Sequence, residues 1–266
     1  RQVRHVHLVV GEDRHVPDAL PLAGIDVPQL GAQPLVHLLQ DHVDARQLLG
    51  EELLGPALKR LLKHGVVRVG EGVDADLLRA LDFAIPADLP ILGINLGRLG
   101  FLSELEVDDM ERGLGSVLDG NYAIDERMTM CVEGFDPKTM FALNEVVINR
   151  STPEVRILSL EYLANGTAVN RISGDGLIVA SSTGSTAYSL SAGGPVVSPS
   201  LDCFVLSPIC PHMLNVRPVV LSASDRITIR LTGDRNGAHP VLDGRKIIEL
   251  DAERSEITIR RSERNA

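Results

Sequence analysis

Apolar and polar positions change rhythm partway along the chain. Near the start, "RHVHLVV" alternates, which is the period of a half-buried strand. "PLVHLLQDHVDARQLLGEELLGPALKRLLKHG" carries helix-like apolar spacing, broken into pieces by Gly50, Gly55 and Pro56. From Gly65 the two rhythms take turns. "GVVRVG" reads as a strand, and "DADLLRALDFAI" as a helix with an acidic first turn that ends before Pro86. "LPILGINLGRLGFL" reads as a buried strand running into a glycine-rich turn, and "EVDDMERGLGSVLDG" as a helix. Near-continuous apolar strands separated by helices predict a parallel α/β unit.

Beyond Asn121 the helical spacing gives way to short strands. "YAIDERMTMCVEGF", "FALNEVVIN", "VRILSLEYLANGTAVNRI", "GLIVAS", "VVLSASDRITIRLTG", "HPVLDGRKIIEL" and "SEITIRR" all read this way. "ANGT", Ala164 to Thr167, supplies the Asn-Gly of a tight hairpin. The expectation is an α/β domain over residues 1–120, with residues 1–70 divergent in texture. An antiparallel or mixed β-rich domain follows over 121–266. A crevice between two such domains is a common place for a ligand.

Composition narrows the function. Hydrophobic residues make up 44% of 266, enough for a packed core. Aromatics are 3% with no Trp, which argues against stacking platforms for single-stranded nucleic acid. A formal net charge of −10 leaves no broad basic footprint for nucleic acid or an anionic membrane. A small anionic ligand remains possible through backbone N–H groups or a local Arg. Cys131, Cys203 and Cys210 are scattered and form no CxxC, so a reducing cytoplasm is expected. No apolar run approaches a membrane span, and no basic-then-apolar segment opens the chain. Six of the eight histidines lie in the first 70 residues, but no Cys or carboxylate cluster completes a ligand set, so no protein-held metal is expected.

Three segments carry candidate chemistry. "SGDGLIVASSTGSTAYSLSAGGPVVSP", Ser173 to Pro199, surrounds a short apolar run with glycines and hydroxyls, and Asp175 is its one charge. Small residues let backbone approach a ligand, and hydroxyls donate to phosphate or ribose oxygens. If "TAYSLSAGG" turns into a helix, its first N–H groups face the same way. The plainer alternative is a Ser/Gly-rich surface loop. In "ALNEVVI", Asn144 and Glu145 are adjacent polar residues inside an apolar strand. A regular strand points them to opposite faces and buries at least one, unless they lie at an edge or bulge. In "GINLGRLGF", Gly93, Gly97 and Gly100 permit a tight turn after a strand, at a spacing that differs from GxGxxG.

In this order, "GINLGRLGFL", "NE" and "DGLIVASSTGSTAYSLSAGGP" resemble the NAD kinase family, over roughly Asp74 to Ile259. The resemblance implies an α/β domain joined to a sandwich-like β domain, the two-domain architecture of NAD kinases. It also implies ATP-dependent phosphorylation of the NAD 2′-hydroxyl to give NADP. Asn144 and Glu145 should then hold the adenine-ribose side of NAD, and Asp175 the nicotinamide end. Thr186, Ala187, Tyr188, Ser189, Leu190 and Ser191 should line the nucleotide pocket. Arg156 falls near a ligand-contact position, and "LDGR" matches an Asp-Gly turn in which Arg245 replaces a commonly neutral polar residue.

The family's "GGDGT" reads here "GVDAD", Gly72 to Asp76, followed by the usual "LRA". Asp74 takes the place of the general base, touching both chemistry and NAD. Val73 and Ala75 replace glycines, and Asp76 adds charge where triphosphate belongs, which Mg²⁺ (or another divalent metal) brought with ATP would offset. These departures keep open a catalytically impaired NAD-binding homologue. A related lipid kinase is disfavoured by "TGSTAYSLSAGG". The expected partners are NAD, ATP and further copies of the chain in a homodimer or homotetramer, with no nucleic acid and no membrane. Relatives usually continue beyond the position of Ala266, so a C-terminal truncation is expected.

Overall fold

A computed structural model of the chain describes residues 3–7, 66–70, 78, 80–82, 84–85, 90–95, 105–106, 110–137, 140–151, 157–232, 237–250 and 255–262. The chain divides into two compact units, Val3–Glu126 and Arg127–Ala266, the second also taking Arg1–Gln2.

In the first unit, strands β1 (Val3–His7), β2 (Val66–Gly70), β3 (Ile91–Asn95), β4 (Leu105–Glu106) and β5 (Ala123–Arg127) form one sheet. Its order is β2-β3-β1-β5, with β4 also on β3, and β3 pairs in parallel with β1, β2 and β4. The parallel α/β expectation therefore holds among the described residues. Helical residues lie between 78 and 85, where Leu78, Ala80, Leu81 and Ala84 are buried at the i, i+3 spacing of one helix face. Helix α1 (Met110–Leu118) sits where "MERGLGSVL" predicts it. Gly113 lies against the Leu105 side chain, so closely that a Cβ there would clash. Among the described residues no helix is long and apolar enough to cross a membrane.

The second unit holds two antiparallel sheets. One has the order β10-β9-β14-β17-β6-β7, built from β6 (Met130–Val132), β7 (Phe141–Ala142), β9 (Leu158–Ala164), β10 (Thr167–Gly174), β14 (Ile227–Leu231) and β17 (Glu256–Arg261). The other has the order β13-β12-β11-β8-β15-β16, built from β8 (Glu145–Arg150), β11 (Gly176–Ser181), β12 (Cys203–Ile209), β13 (Val219–Ser222), β15 (Ala238–Leu242) and β16 (Lys246–Ile247). Their inner faces share one core. Leu158, Leu160, Tyr162, Ile227, Ile229, Ile257 and Ile259 from the first sheet meet Val146, Ile148, Leu177, Val179, Phe204 and Leu206 from the second. This is the sandwich the resemblance implies.

The second sheet is buried on its other face too. Val147, Ile178, Ala180, Cys203 and Val205 form a separate apolar cluster against Ala192 and Val197. A strand with both faces covered cannot alternate, which is why "GLIVAS" is a continuous apolar run. The Asn-Gly hairpin forms as expected, with Asn165 and Gly166 at φ 51 and 81 between β9 and β10.

Strand β12 is absent from the sequence-based expectations. "CFVLSPI" contains Pro208, which argues against an inner strand because it cannot donate to the ladder. The strand nevertheless lies between β11 and β13. Pairing with β13 runs only from Cys203 to Leu206, so Pro208 lies past the end of that neighbour. Phe204, at 0% exposure, anchors the strand in the shared core. Phe204→Ala should lower the unfolding free energy by about 3–5 kcal/mol, read by urea denaturation followed by circular dichroism.

Candidate functional site

Both predicted polar spots in the second unit lie where the chain passes from one sheet to the other. Strand β7 ends at Ala142 in the first sheet, and β8 begins at Glu145 in the second. Strand β10 ends at Gly174 in the first sheet, and β11 begins at Gly176 in the second, with Asp175 between them. A chain that leaves one ladder and enters another has backbone groups with no ladder partner at the corner. Other groups must partner them: at the second corner the Asp175 N–H donates to the Ile209 backbone carbonyl at 3.0 Å.

At the 143–144 corner this role falls to Asp243 and Ser181. The Asp243 carboxylate accepts from three successive backbone N–H groups, Leu143 at 2.7 Å, Asn144 at 2.9 Å and Glu145 at 3.1 Å. The Asp243 N–H in turn donates to the Glu145 carbonyl at 3.0 Å. The Ser181 hydroxyl donates to the Leu143 carbonyl at 2.6 Å and accepts from the Gly184 N–H at 3.1 Å. The Ser181 N–H donates to the Asn144 carbonyl at 2.8 Å. Gly184 passes so close to Asn144 that a Cβ would strike its carbonyl oxygen. Asn144 and Glu145 are both buried. The corner, rather than an edge or bulge, accounts for two adjacent polar residues in an apolar run.

The signature loop folds back over the second sheet as a 3₁₀ turn (Thr183–Thr186) and a short helix α2 (Tyr188–Ser191). Most of its hydroxyls are spent internally. The Ser185 hydroxyl donates to the Val197 carbonyl and accepts from the Val197 N–H, at 3.2 and 3.0 Å. Ser189 is fully buried and shares a 2.9 Å hydrogen bond with Ser207. Ser182 donates to the Pro199 carbonyl at 3.3 Å, and Thr186 to the Thr183 carbonyl at 3.4 Å. Gly194 packs against Ser189 and Ser207 where a Cβ would not fit. The Ser/Gly composition thus fastens a tightly packed fold-back. Along Thr186 to Ser191, Thr186 and Ala187 are half-buried, Tyr188, Leu190 and Ser191 are exposed, and Ser189 points inward.

Two buried oxygens in this neighbourhood have no hydrogen-bond partner, Glu145 Oε2 and Thr183 Oγ1. Glu145 does accept from the backbone N–H of Tyr188. Burial first, and the Asp243 charge second, push its carboxyl up to about 8. Burial pushes Asp243 up as well, against the three N–H donors and the Arg245 guanidinium 3.7 Å away. Both carboxyls cannot be charged side by side at low cost. Asp243 has three donors and a cation to stabilise its charge, and Glu145 has a single donor. The proton therefore resides on Glu145 at neutral pH.

The two corners stand at opposite ends of the β8–β11 pairing. Glu145 lies across from Ala180, and Asn149 from Gly176. Four residues of strand separate them, about 13 Å. Asp175 is half-buried, 3.8 Å from Arg150. The flanking glycines are required there: a Cβ on Gly174 would meet the Ile209 carbonyl at 2.8 Å, and one on Gly176 would meet the Ile148 carbonyl. Arg245 lies in the turn between β15 and β16, beside Asp243. The structure thus gathers Asn144, Glu145, Tyr188 and Arg245 around one corner and Asp175 at the other. Asp74 and Arg156 lie outside the described residues, as do Gly97 and Gly100. Among the described residues no three His, Cys, Asp or Glu side chains gather as a metal site.

Asp243 escaped the sequence reading as a site residue. "LDGR" signals a turn, but nothing in it says that the acid is buried or what it bonds. The only hint is an acid directly after the apolar strand "AHPVL".

The sequence profile of the ATP-NAD kinase C-terminal domain matches residues 143–266. An NAD kinase of Geobacter metallireducens is 38% identical over 240 residues, covering 89% of this chain and 83% of the relative. Among solved structures, an NAD kinase from Archaeoglobus fulgidus in complex with ATP superposes with a TM-score of 0.67 at 32% identity, covering 80% of this chain and 86% of that one. A yeast NADH kinase complexed with NADH gives 0.65 at 28% identity, over 75% and 58%.

Glu145 should leave a signature in stability. At pH below its ordinary 4.5, folded and unfolded chains both hold the proton. Between 4.5 and about 8 only the folded chain does, so the group's contribution falls as pH rises through that window and is level above it. Glu145→Gln cannot ionise. Relative to the parent it should gain stability from pH 4.5 to 8, by up to about 1.4 kcal/mol per pH unit, in urea denaturation across that range.

Proposed function

The chain belongs to the NAD kinase family, and we propose how its residues divide the work of that enzyme. It is an NAD kinase, a phosphotransferase that moves a phosphoryl group from ATP to the 2′-hydroxyl of NAD and so makes NADP. The observation that carries the assignment is the 38% identity with an NAD kinase over nearly the whole chain. The local chemistry agrees with it. A buried carboxyl with an unpartnered oxygen, Glu145, accepts from the backbone N–H of Tyr188 at the start of α2, as suits a site that binds a ligand rich in hydroxyl and amide groups.

In this reading Asn144 and Glu145 bind the adenine-ribose side of NAD. Protonated Glu145 both donates and accepts, which suits a ribose hydroxyl. Asp175, about 13 Å along the same pair of strands, takes the nicotinamide end. Thr186, Ala187, Tyr188, Leu190 and Ser191 line the pocket between them, and Ser189 supports α2 from beneath through Ser207. Arg156 and Arg245 are assigned contacts with the nucleotide. Arg245 contributes positive charge beside the corner.

Asp74 is the general base. Its carboxylate takes the proton of the 2′-hydroxyl while that oxygen bonds to the γ-phosphorus and the bond to the ADP leaving oxygen breaks. The donor is ATP with Mg²⁺ or another divalent ion, which enters as part of the substrate and neutralises phosphate charge. Val73 and Ala75 stand where the family's motif carries glycines. The same two residues favour a second reading, an NAD-binding homologue with impaired transfer. The chain works in the cytoplasm, a compartment that suits three free cysteines. It assembles as a homodimer or homotetramer through the β-rich unit, where Val220 is exposed on edge strand β13.

Purified protein with MgATP and NAD should form NADP in a coupled dehydrogenase assay. Asp74→Asn should lower kcat by about 10²–10⁴-fold with little change in KM. Glu145→Ala should raise KM for NAD about tenfold or more and leave KM for ATP nearly unchanged. NAD binding by calorimetry without any NADP would give the impaired reading the advantage.

A further inference from the structure

Successive N–H groups of an extended strand point to opposite sides, so three in a row on one carboxylate require a bent backbone. Leu143, Asn144 and Glu145 have that bend, and the anion they converge on is supplied by the protein itself. Asp243 is held to the task. Its side chain has 0% exposure, so it reaches no ligand. Its backbone sits at φ 47, in the left-handed region that side chains other than Asn and Asp rarely accept, followed by Gly244 at φ 67. That geometry turns the carboxylate back onto the head of β8, and the return bond from the Asp243 N–H to the Glu145 carbonyl closes the loop.

Resting on the NAD-binding reading of the corner, we propose that Asp243 is the positioning residue of the Asn144–Glu145 pair, setting where both side chains meet NAD by holding three consecutive backbone N–H groups on one carboxylate. Shape explains why an acid is needed. Both carboxylate oxygens accept, Oδ2 from Leu143 and Oδ1 from Asn144 and Glu145. An amide at this place offers one accepting oxygen, and its NH₂ faces a backbone donor. The corner must then move, and Asn144 and Glu145 move with it. The segment assigned to the phosphate donor, Gly72–Asp76, belongs to a different part of the chain, so the effect should fall on NAD.

The test is a double-mutant cycle on the whole protein. Asp243→Asn should raise KM for NAD about 10–100-fold while KM for ATP changes by less than about threefold. In an Asn144→Ala/Glu145→Ala background the same substitution should add nothing further to KM for NAD, because it acts through those two side chains. Ile229→Val, in β14 of the first sheet and three strands from β7, weakens the core away from the corner and should leave both KM values unchanged. An equal rise for NAD and ATP overturns the proposal, as does a rise of the same size in the double-alanine background, or an unchanged KM for NAD. If Asp243→Asn does not fold, Asp243→Glu enters the same cycle with the same criteria.

Amide hydrogen exchange on the parent protein tests the clamp without any substitution. Without NAD, the amides of Leu143, Asn144 and Glu145 should exchange as slowly as those of β11. Loop-like exchange that slows only when NAD is added would mean that the ligand orders the corner, and would overturn the proposal. This measurement needs no turnover, so failure of the clamp and failure of the kinase assignment give different results.

Discussion

A buried carboxylate at a sheet corner is the interaction on which the second unit depends. Where the chain crosses from β7 to β8, three N–H groups leave the ladder of one sheet before the next begins. Asp243 takes all three. Each such hydrogen bond to a charged group contributes on the order of 1.5–3 kcal/mol, and each of these donors left bare in the core would cost about 1–3 kcal/mol. A single acid therefore decides whether the two sheets can be joined at this point. Ser181 completes the corner from the other side, bonding to the carbonyls of Leu143 and Asn144.

The same requirement places the chemistry. A sandwich must hide apolar faces, and its corners are where polar side chains are compelled to enter the interior. Asn144 and Glu145 sit at one corner and Asp175 at the other, on adjoining strands of one sheet. The strands keep them at a constant separation. Dryness then alters the character of Glu145. Beside a charged Asp243 and under the N-terminal turn of α2, Glu145 holds its proton to about pH 8 and behaves as a neutral hydrogen-bonding group. That property belongs to the setting, since an exposed glutamate would be charged.

The hydroxyl-rich loop shows how composition and role can separate. Ser181, Ser182, Ser185 and Ser189 all face inward, bonded to backbone or to Ser207. Their small size lets the loop lie flat on the outer face of the second sheet, where Ala192 and Val197 cover Ile178 and Val205. The loop is thus first a lid on a sheet. What remains exposed along Thr186 to Ser191 is Tyr188, Leu190 and Ser191.

Much of this was legible in the residues. Periodicity separated a parallel α/β half from an antiparallel half, because strands, helices and Asn-Gly turns are local in their causes. "NE" and "DGLIVASSTGSTAYSLSAGGP" identified the family, because a long motif needs no contacts to be recognised. Other features were invisible there. Pro208 concealed β12, which is permitted only because β13 ends two residues earlier. The burial of both Asn144 and Glu145, the inward turn of Ser189 and the grip of Asp243 depend on partners 18 to 100 residues away. What the amino-acid order determined alone was the set of elements, the family and the kinds of side chain available. Which of those side chains would be dry, neutral or clamped was decided by the tertiary fold, because burial and hydrogen bonding between distant segments exist only once the two sheets have closed on each other.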